Sequence, residues 1–304
     1  MGERKRGREG EEPPFPLAPF PPLSGATTRL AVLLGDPVAH SLSPRIHNAA
    51  FRALGLDAVY LACRVAPADL PAAVAGLKAL GALGASVTIP HKEAVVPLLD
   101  HLAPAAAATG AVNTLVFEDD GAVRGENTDV EGFLRPLRPH TDRLHGAAMT
   151  VLGAGGVARA AAYALLTAFE PTRLTVAARR PDQARRLAAA LGPHDPYDAL
   201  RPIPFAEART AVRESTLIVN ATPVGMAPGD GETPWPHAED FHTSQLVYDL
   251  VYAPAETRLL REAAAQGAEP LGGLPMLVGQ AAAAFRLWTG LDMPLEAVWA
   301  AFRT

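Results

Sequence analysis

The chain has little lysine, asparagine or cysteine. Only Lys5, Lys78 and Lys92 interrupt an otherwise all-arginine set of 27 basic residues. Asparagine occurs four times in 304 residues, as Asn48, Asn113, Asn127 and Asn220. The one cysteine, Cys63, excludes an internal disulfide and fits a reducing, cytoplasmic compartment. Inside "VYLACRV" it reads as a buried strand residue. No apolar run reaches the ~18 residues needed to cross a bilayer. A formal net charge of −5 leaves no electrostatic footprint for nucleic acid.

What is present is apolar. Hydrophobic residues make up 49% of the chain, enough for a substantial core. The length suggests two domains. Residues 1–28 stand apart, mixing both charge signs with many prolines and lacking the apolar stretch of a signal peptide. They read as a disordered tail, or as a start codon assigned too early. In a composition drifting toward Ala, Arg, Pro and Gly, the scarce residues mark the positions where a chemical role is expected.

After the tail, strand and helix patterns alternate, which predicts an α/β fold with parallel sheets. "RLAVLLG" and "AVYLACRV" read as strands, and "SPRIHNAAFRALG" as a helix with Ser43 as N-cap and Pro44 in its first turn. "PADLPAAVAGLKALG" reads as a helix, "GASVTI" as a strand, and 92–99 and 103–109 as helical. "AVNTLVFEDDGAVRG" reads as a hairpin turning at Asp119–Gly121, and "TDRLHG" as a polar connector. The stretch from Pro275 reads as a closing helix with no strand after it.

"VLGAGGVARAAA" follows a strand and opens a helix, with Gly153, Gly155 and Ala158 at the G-x-G-x-x-G/A spacing. Gly153, Ala154, Gly155 and Gly156 are thus expected to approach a dinucleotide pyrophosphate at a helix N-terminus. The next strand, "RLTVAARR", ends in Ala178, Arg179 and Arg180, where NAD sites place an acid for the ribose 2′-hydroxyl. A guanidinium there suits a 2′-phosphate, so the expected cofactor is NADP. His40, His47 and His91 lack metal-ligand spacing. His40 and His47 read as packing or hydrogen-bonding residues, and no metal is expected.

Eight ordered motifs resemble the shikimate dehydrogenase family: "GDPVAHSLSPRIHNAAF", "VTIPHKE", "GAVNT", "ENTD", "GAGGVAR", "NATPVGM", "YDLVYAPAETRLL" and "GGLPMLVGQAA". The resemblance covers residues 30–304. The resemblance implies NADPH-dependent reduction of 3-dehydroshikimate to shikimate, in aromatic amino-acid biosynthesis. It implies a substrate domain of residues 29–128 plus 273–304 and an inserted Rossmann-type NADP domain of 129–272. It implies Ser41 and Ser43 on the substrate carboxylate, Thr88, Asn113 and Gln280 on ring hydroxyls, and Tyr252 near the substrate. Leu250, Met226 and Gly273 would lie at the nicotinamide, and Asn220 and Thr222 beside the cofactor riboses.

The resemblance also makes Lys92 and Asp129 the catalytic pair. Reducing a ketone requires a proton on oxygen, and the same group must accept it in reverse. Arginine cannot deprotonate at useful pH whereas a lysine with lowered pKa can, which accounts for a lysine at position 92. The residues alone leave open which of the pair carries the proton. Ser86 and Gly272 depart from the family, which usually has Asn and often Asp there; altered affinity is expected. Two other readings stand beside this one: a quinate/shikimate dehydrogenase using NAD, and a cofactor-binding regulator without catalysis. Monomer and homodimer both remain open.

Overall fold

The computed structural model describes residues 26–303. Most of the expected tail therefore lies outside the described residues, but Thr27 and Thr28 do not trail away: both hydroxyls donate to the Asp57 carboxylate.

The first half builds one sheet from β1 (Arg29–Gly35), β2 (Ala58–Arg64), β3 (Gly84–Val87), β4 (His101–Leu102), β5 (Thr114–Phe117) and β6 (Val123–Glu126). Helices α1 (Ser43–Ala53), α2 (Leu70–Ala79), α3 (His91–Ala94) and α4 (Pro104–Thr109) connect the strands. Strand order is β2-β1-β3-β5-β6-β4, with β5 antiparallel to β3 and β6. Strand β1 is buried on both faces, so it reads as one apolar run rather than an alternation. Ala31 and Leu33 face a core shared with α1, whereas Val32 and Leu34 face a second core shared with α2.

The second half follows α5 (Asp129–Leu134) and α6 (Thr141–Leu144). Its strands are β7 (Ala148–Leu152), β8 (Arg173–Ala178), β9 (Leu200–Pro204), β10 (Leu217–Asn220), β11 (Leu246–Asp249) and β12 (Glu269–Leu271). All are parallel, in the order β12-β11-β10-β7-β8-β9. Taken from β7 as first strand this is 3-2-1-4-5-6, the doubly wound dinucleotide-binding order, with its switch point between β7 and β10. Helices α7 (Gly156–Phe169), α8 (Pro181–Leu191), α9 (Arg209–Glu214) and α10 (Arg258–Ala265) flank it. The chain then returns through α11 (Leu274–Thr289) and α12 (Leu295–Ala301) to the first sheet. Met276 packs in the core of the second sheet, while Val278 to Trp288 pack in the core of the first.

Four local expectations are corrected. The "TDRLHG" connector contains a helical turn, because Leu144 is fully buried beneath the second sheet and fixes the segment there. The helix expected over 92–99 breaks into α3 and a 3-10 turn at Val96–Leu98, as Pro97 has no N–H to continue the ladder. Cys63 is half-buried rather than buried, since β2 is an edge strand of its sheet. His40, expected to pack or hydrogen-bond, is exposed and makes no hydrogen bond to any described residue.

Candidate active site

The loop after β3 enters α3 and points Lys92 back across the sheet ends. Its Nζ donates to Asp129 Oδ2 at 2.6 Å, and the two side chains are 25% and 10% exposed. Asp129 opens α5, whose N-cap is Thr128. Asn113 Nδ2 donates to the other carboxylate oxygen, Oδ1, at 2.8 Å. Both oxygens of Asp129 are therefore directed by neutral or cationic donors. Lys92 spends one of its three N–H donors on this contact, which leaves donors for a ligand oxygen.

Amide side chains hold this arrangement. Asn113 Oδ1 accepts from the Thr128 backbone N–H at 2.7 Å and from the hydroxyls of Thr114 and Thr128. Asn127 Oδ1 accepts from the Asp129 N–H, and its Nδ2 donates to Ala111 O and Thr109 Oγ1. Asn220 Oδ1 accepts from the N–H and hydroxyl of Thr222, and its Nδ2 donates to Asp249 Oδ1 and Val224 O. Asn48 clasps the backbone of Tyr60, donating to its carbonyl and accepting from its N–H. All four asparagines thus substitute for a main-chain partner. Asn127 and Asn48 were singled out in the sequence only by scarcity, and no site role was expected for either.

Ser43 is not the helix cap. It is the first residue of α1, whose N-cap position is Leu42, and its backbone N–H donates to Ser41 Oγ at 3.2 Å. Ser43 itself is buried and faces Tyr60. Thr88 follows β3, and a Cβ at Gly35 would lie 2.3 Å from its Cγ2, so β1 and this loop touch. Gln280 sits on α11 and donates Nε2 to Leu277 O. Neither Ser41, Tyr252 nor Gln280 hydrogen-bonds the Lys92–Asp129 pair among the described residues. Tyr252 is half-buried, and burial pushes its phenol above the ordinary range.

At the second sheet, Gly153 has φ +110, a conformation that favours glycine, and a Cβ there would sit 3.0 Å from Ala221 O and 3.1 Å from Thr222 Cγ2. The loops after β7 and β10 therefore meet at the switch point. Gly155 and Gly156 are exposed at the start of α7, and a Cβ on either would meet nothing within 4 Å. This open, amide-lined helix start fits a pyrophosphate. Ala154, between Gly153 and Gly155, is half-buried, and Ala178 is buried at the end of β8. Arg179 and Arg180 are exposed beyond it, with no carboxylate partner among the described residues. Their free guanidinium groups fit a 2′-phosphate. Gly273 is bound by close approach: a Cβ would lie 2.4 Å from Leu250 O. Met226 is 47% exposed on the loop after β10.

Asp249 was missed in the sequence. It ends β11 with no exposure, and it accepts from Thr257 Oγ1 at 2.6 Å, the Val251 N–H and Asn220 Nδ2. Burial pushes its carboxyl up, and those three donors oppose the shift. The signal available was an acid inside the apolar strand "LVYDLV", followed at position 257 by a threonine that caps α10 through its side chain.

Residues 33–115 match the model of the shikimate dehydrogenase substrate binding domain, and residues 273–301 match that of the shikimate 5′-dehydrogenase C-terminal domain. The chain is 60% identical over 280 residues to shikimate dehydrogenase (NADP(+)) of Salinibacter ruber, covering 91% of this chain and 98% of that protein. The chain belongs to the shikimate dehydrogenase family. Among solved members, the Listeria monocytogenes shikimate 5-dehydrogenase complex with shikimate and NAD superposes with a TM-score of 0.85 at 36% identity, covering 91% of this chain and 97% of that one. The Thermus thermophilus shikimate 5-dehydrogenase complex with NADP(H) and shikimate gives 0.80 at 40% identity, covering 90% and 98%. This family membership accounts for the pairing of a doubly wound sheet with a mixed one. Among the described residues no helix is long and apolar enough to cross a membrane.

Proposed function

We infer that this chain reduces 3-dehydroshikimate reversibly to shikimate with NADPH, in aromatic amino-acid biosynthesis. The observation that carries the reading is the bonded trio of Lys92, Asp129 and Asn113, seated between the two sheets. Bound NADPH supplies a hydride to the carbonyl carbon. The carbonyl oxygen must gain a proton, and Lys92 Nζ carries free N–H donors beside Asp129. Asp129 fixes the ammonium and offers its carboxylate to the reacting hydroxyl. Asn113 keeps the carboxylate from rotating. In the oxidative direction the same pair receives the proton.

The remaining roles follow the family resemblance. Ser41 and Ser43 would bind the substrate carboxylate, with Thr88, Asn113, Gln280 and Tyr252 around the ring. Gly153, Ala154, Gly155 and Gly156 would hold the pyrophosphate, and Ala178, Arg179 and Arg180 the adenosine phosphate. Asn220 and Thr222 would order the loop at the riboses, with Met226, Leu250 and Gly273 at the nicotinamide. Residues 29–128 with 273–304 would form the substrate domain, and 129–272 the NADP domain. The single cysteine supports a cytoplasmic enzyme, acting as monomer or homodimer.

The test is the initial rate of NADPH formation from shikimate and NADP⁺, with NAD⁺ and quinate in parallel. Turnover is expected with shikimate and NADP⁺. Preference for quinate or NAD⁺ would overturn the assignment of substrate or of Arg179. Lys92→Met is expected to lower kcat by about 10²–10⁴ with NADPH affinity retained. Equal loss of NADPH affinity would make Lys92 a structural residue instead.

A further inference from the structure

Tyr60 is held with unusual care for a residue with no assigned task. Asn48 grips its backbone N–H and carbonyl at 2.8 and 2.9 Å. The His47 ring stacks on it at 4.3 Å with the planes 7° apart, and Trp288 packs at 6.2 Å. The side chain is fully buried. Yet its phenol oxygen makes no hydrogen bond of regular geometry. A buried hydroxyl left without a partner costs about 1–3 kcal/mol, so an apolar ring would serve the core better.

The surroundings say where that hydroxyl points. Tyr60 is in register with Ala31 of β1, and Ala31 with Gly84 of β3. Ser86, two residues beyond Gly84, therefore faces the same side of the sheet as Tyr60. Ser43 lies one helical turn before His47, on the face of α1 that covers Tyr60. Burial pushes the Tyr60 phenol up, and the Ser86 and Ser43 hydroxyls oppose that shift. Ser43 and Ser86 are themselves only 7% and 6% exposed.

We propose that Tyr60 is a positioning residue for substrate recognition: its phenol, without a partner in this structure, donates its proton to Ser43 Oγ when substrate binds, so that the Ser43 hydroxyl is aimed at the substrate carboxylate. Ser86 would donate to the phenol oxygen from the other side. Such a chain polarises each O–H in turn, which strengthens the last bond to the anion. The proposal rests on the substrate-binding role of Ser43 given above. It adds a residue that sits behind the site and cannot touch the ligand.

Tyr60→Phe keeps the ring, the stack and the backbone clasp. The KM for shikimate is expected to rise about five-fold, the size of one hydrogen bond, with kcat and the KM for NADP⁺ unchanged. Thermal stability should not fall. In a Ser43→Ala background the same change should have no further effect on KM. An unchanged KM for shikimate, or an equal shift in every kinetic parameter, would overturn the proposal. Wild-type turnover of shikimate with NADP⁺ tests the reaction separately. Should Tyr60→Phe not fold, a Tyr252→Phe enzyme provides a second measurement. Adding shikimate should perturb its tyrosine ultraviolet spectrum, since the other tyrosines, Tyr163, Tyr197 and Tyr248, lie outside the first sheet. No perturbation would also overturn the proposal.

Discussion

At the scale of single residues, the side chains against which composition drifts are the ones tied most closely to backbone. His47 shows a different cost. It is completely buried, neither ring nitrogen has a partner, and desolvation lowers its pKa from 6.5 to about 3. The folded state thus refuses a proton that the unfolded chain accepts below pH 6.5. Stability from this source is present above pH 6.5 and is lost as pH falls toward 3, by about 1.4 kcal/mol per pH unit. His47→Phe removes the titration and retains a ring against Tyr60. Urea unfolding between pH 6 and 4 should then show a slope against pH smaller by one proton than in the parent. Equal slopes would place the acid sensitivity elsewhere.

At the scale of elements, the site depends on how closely α5 and α11 cross. A Cβ at Gly132 would lie 2.6 Å from the Gln280 backbone nitrogen and 2.7 Å from Met276 O. Gly279 faces it from α11, where an added Cβ would sit 3.0 Å from Gly132 Cα. Asp129 begins α5 and Gln280 rides on α11, so this contact sets their separation. Gly132→Ala gains up to about 1 kcal/mol of helix propensity, but backbone on the far side cannot step aside, and overpacking of that kind costs about 1–3 kcal/mol. The expected result is a lower urea midpoint together with a lower kcat/KM. A higher midpoint would mean that the helices part at no cost.

Much at this scale was legible in the sequence. The strand–glycine turn–helix from β7 to α7 was readable because its period and its turn chemistry coincide. The hairpin of β5 and β6 was readable because Gly121 and Asp120 mark its turn, where Ala122 N–H donates to Asp120 Oδ1. The pairing of Lys92 with Asp129 was reached through motifs, since nothing in their spacing brings them together. The roles of Asn48 and Asp249 were not readable. Each has a partner on a separate strand, Tyr60 and Asn220, and local pattern carries no trace of such a partner. Ser43 read as a cap because serine before a helical run usually is one, but the helix begins at Ser43 itself and Leu42 takes the cap position.

At the scale of the whole molecule, the chain passes between the two sheets twice, before Asp129 and after Leu271. A third tie comes from Arg159 on α7, which donates to Thr109 O at the end of α4 at 2.8 Å and lies 4.0 Å from Glu93. Arg159→Met keeps the apolar stem and removes this tie. One such hydrogen bond corresponds to about a five-fold change, so KM for both shikimate and NADP⁺ should rise by about that factor. The radius of gyration from small-angle scattering should rise as well. Unchanged values would mean that this tie does not set the angle between the halves. The four amide clasps bear on how long the enzyme lasts. Asparagine is thermolabile, and loss of its amide leaves a carboxylate that accepts but no longer donates. Asn48, Asn113, Asn127 and Asn220 are all buried, and none precedes a glycine. Ageing at these positions therefore requires the fold to open first, and the chemical lifetime of the active site is tied to the rate of its unfolding.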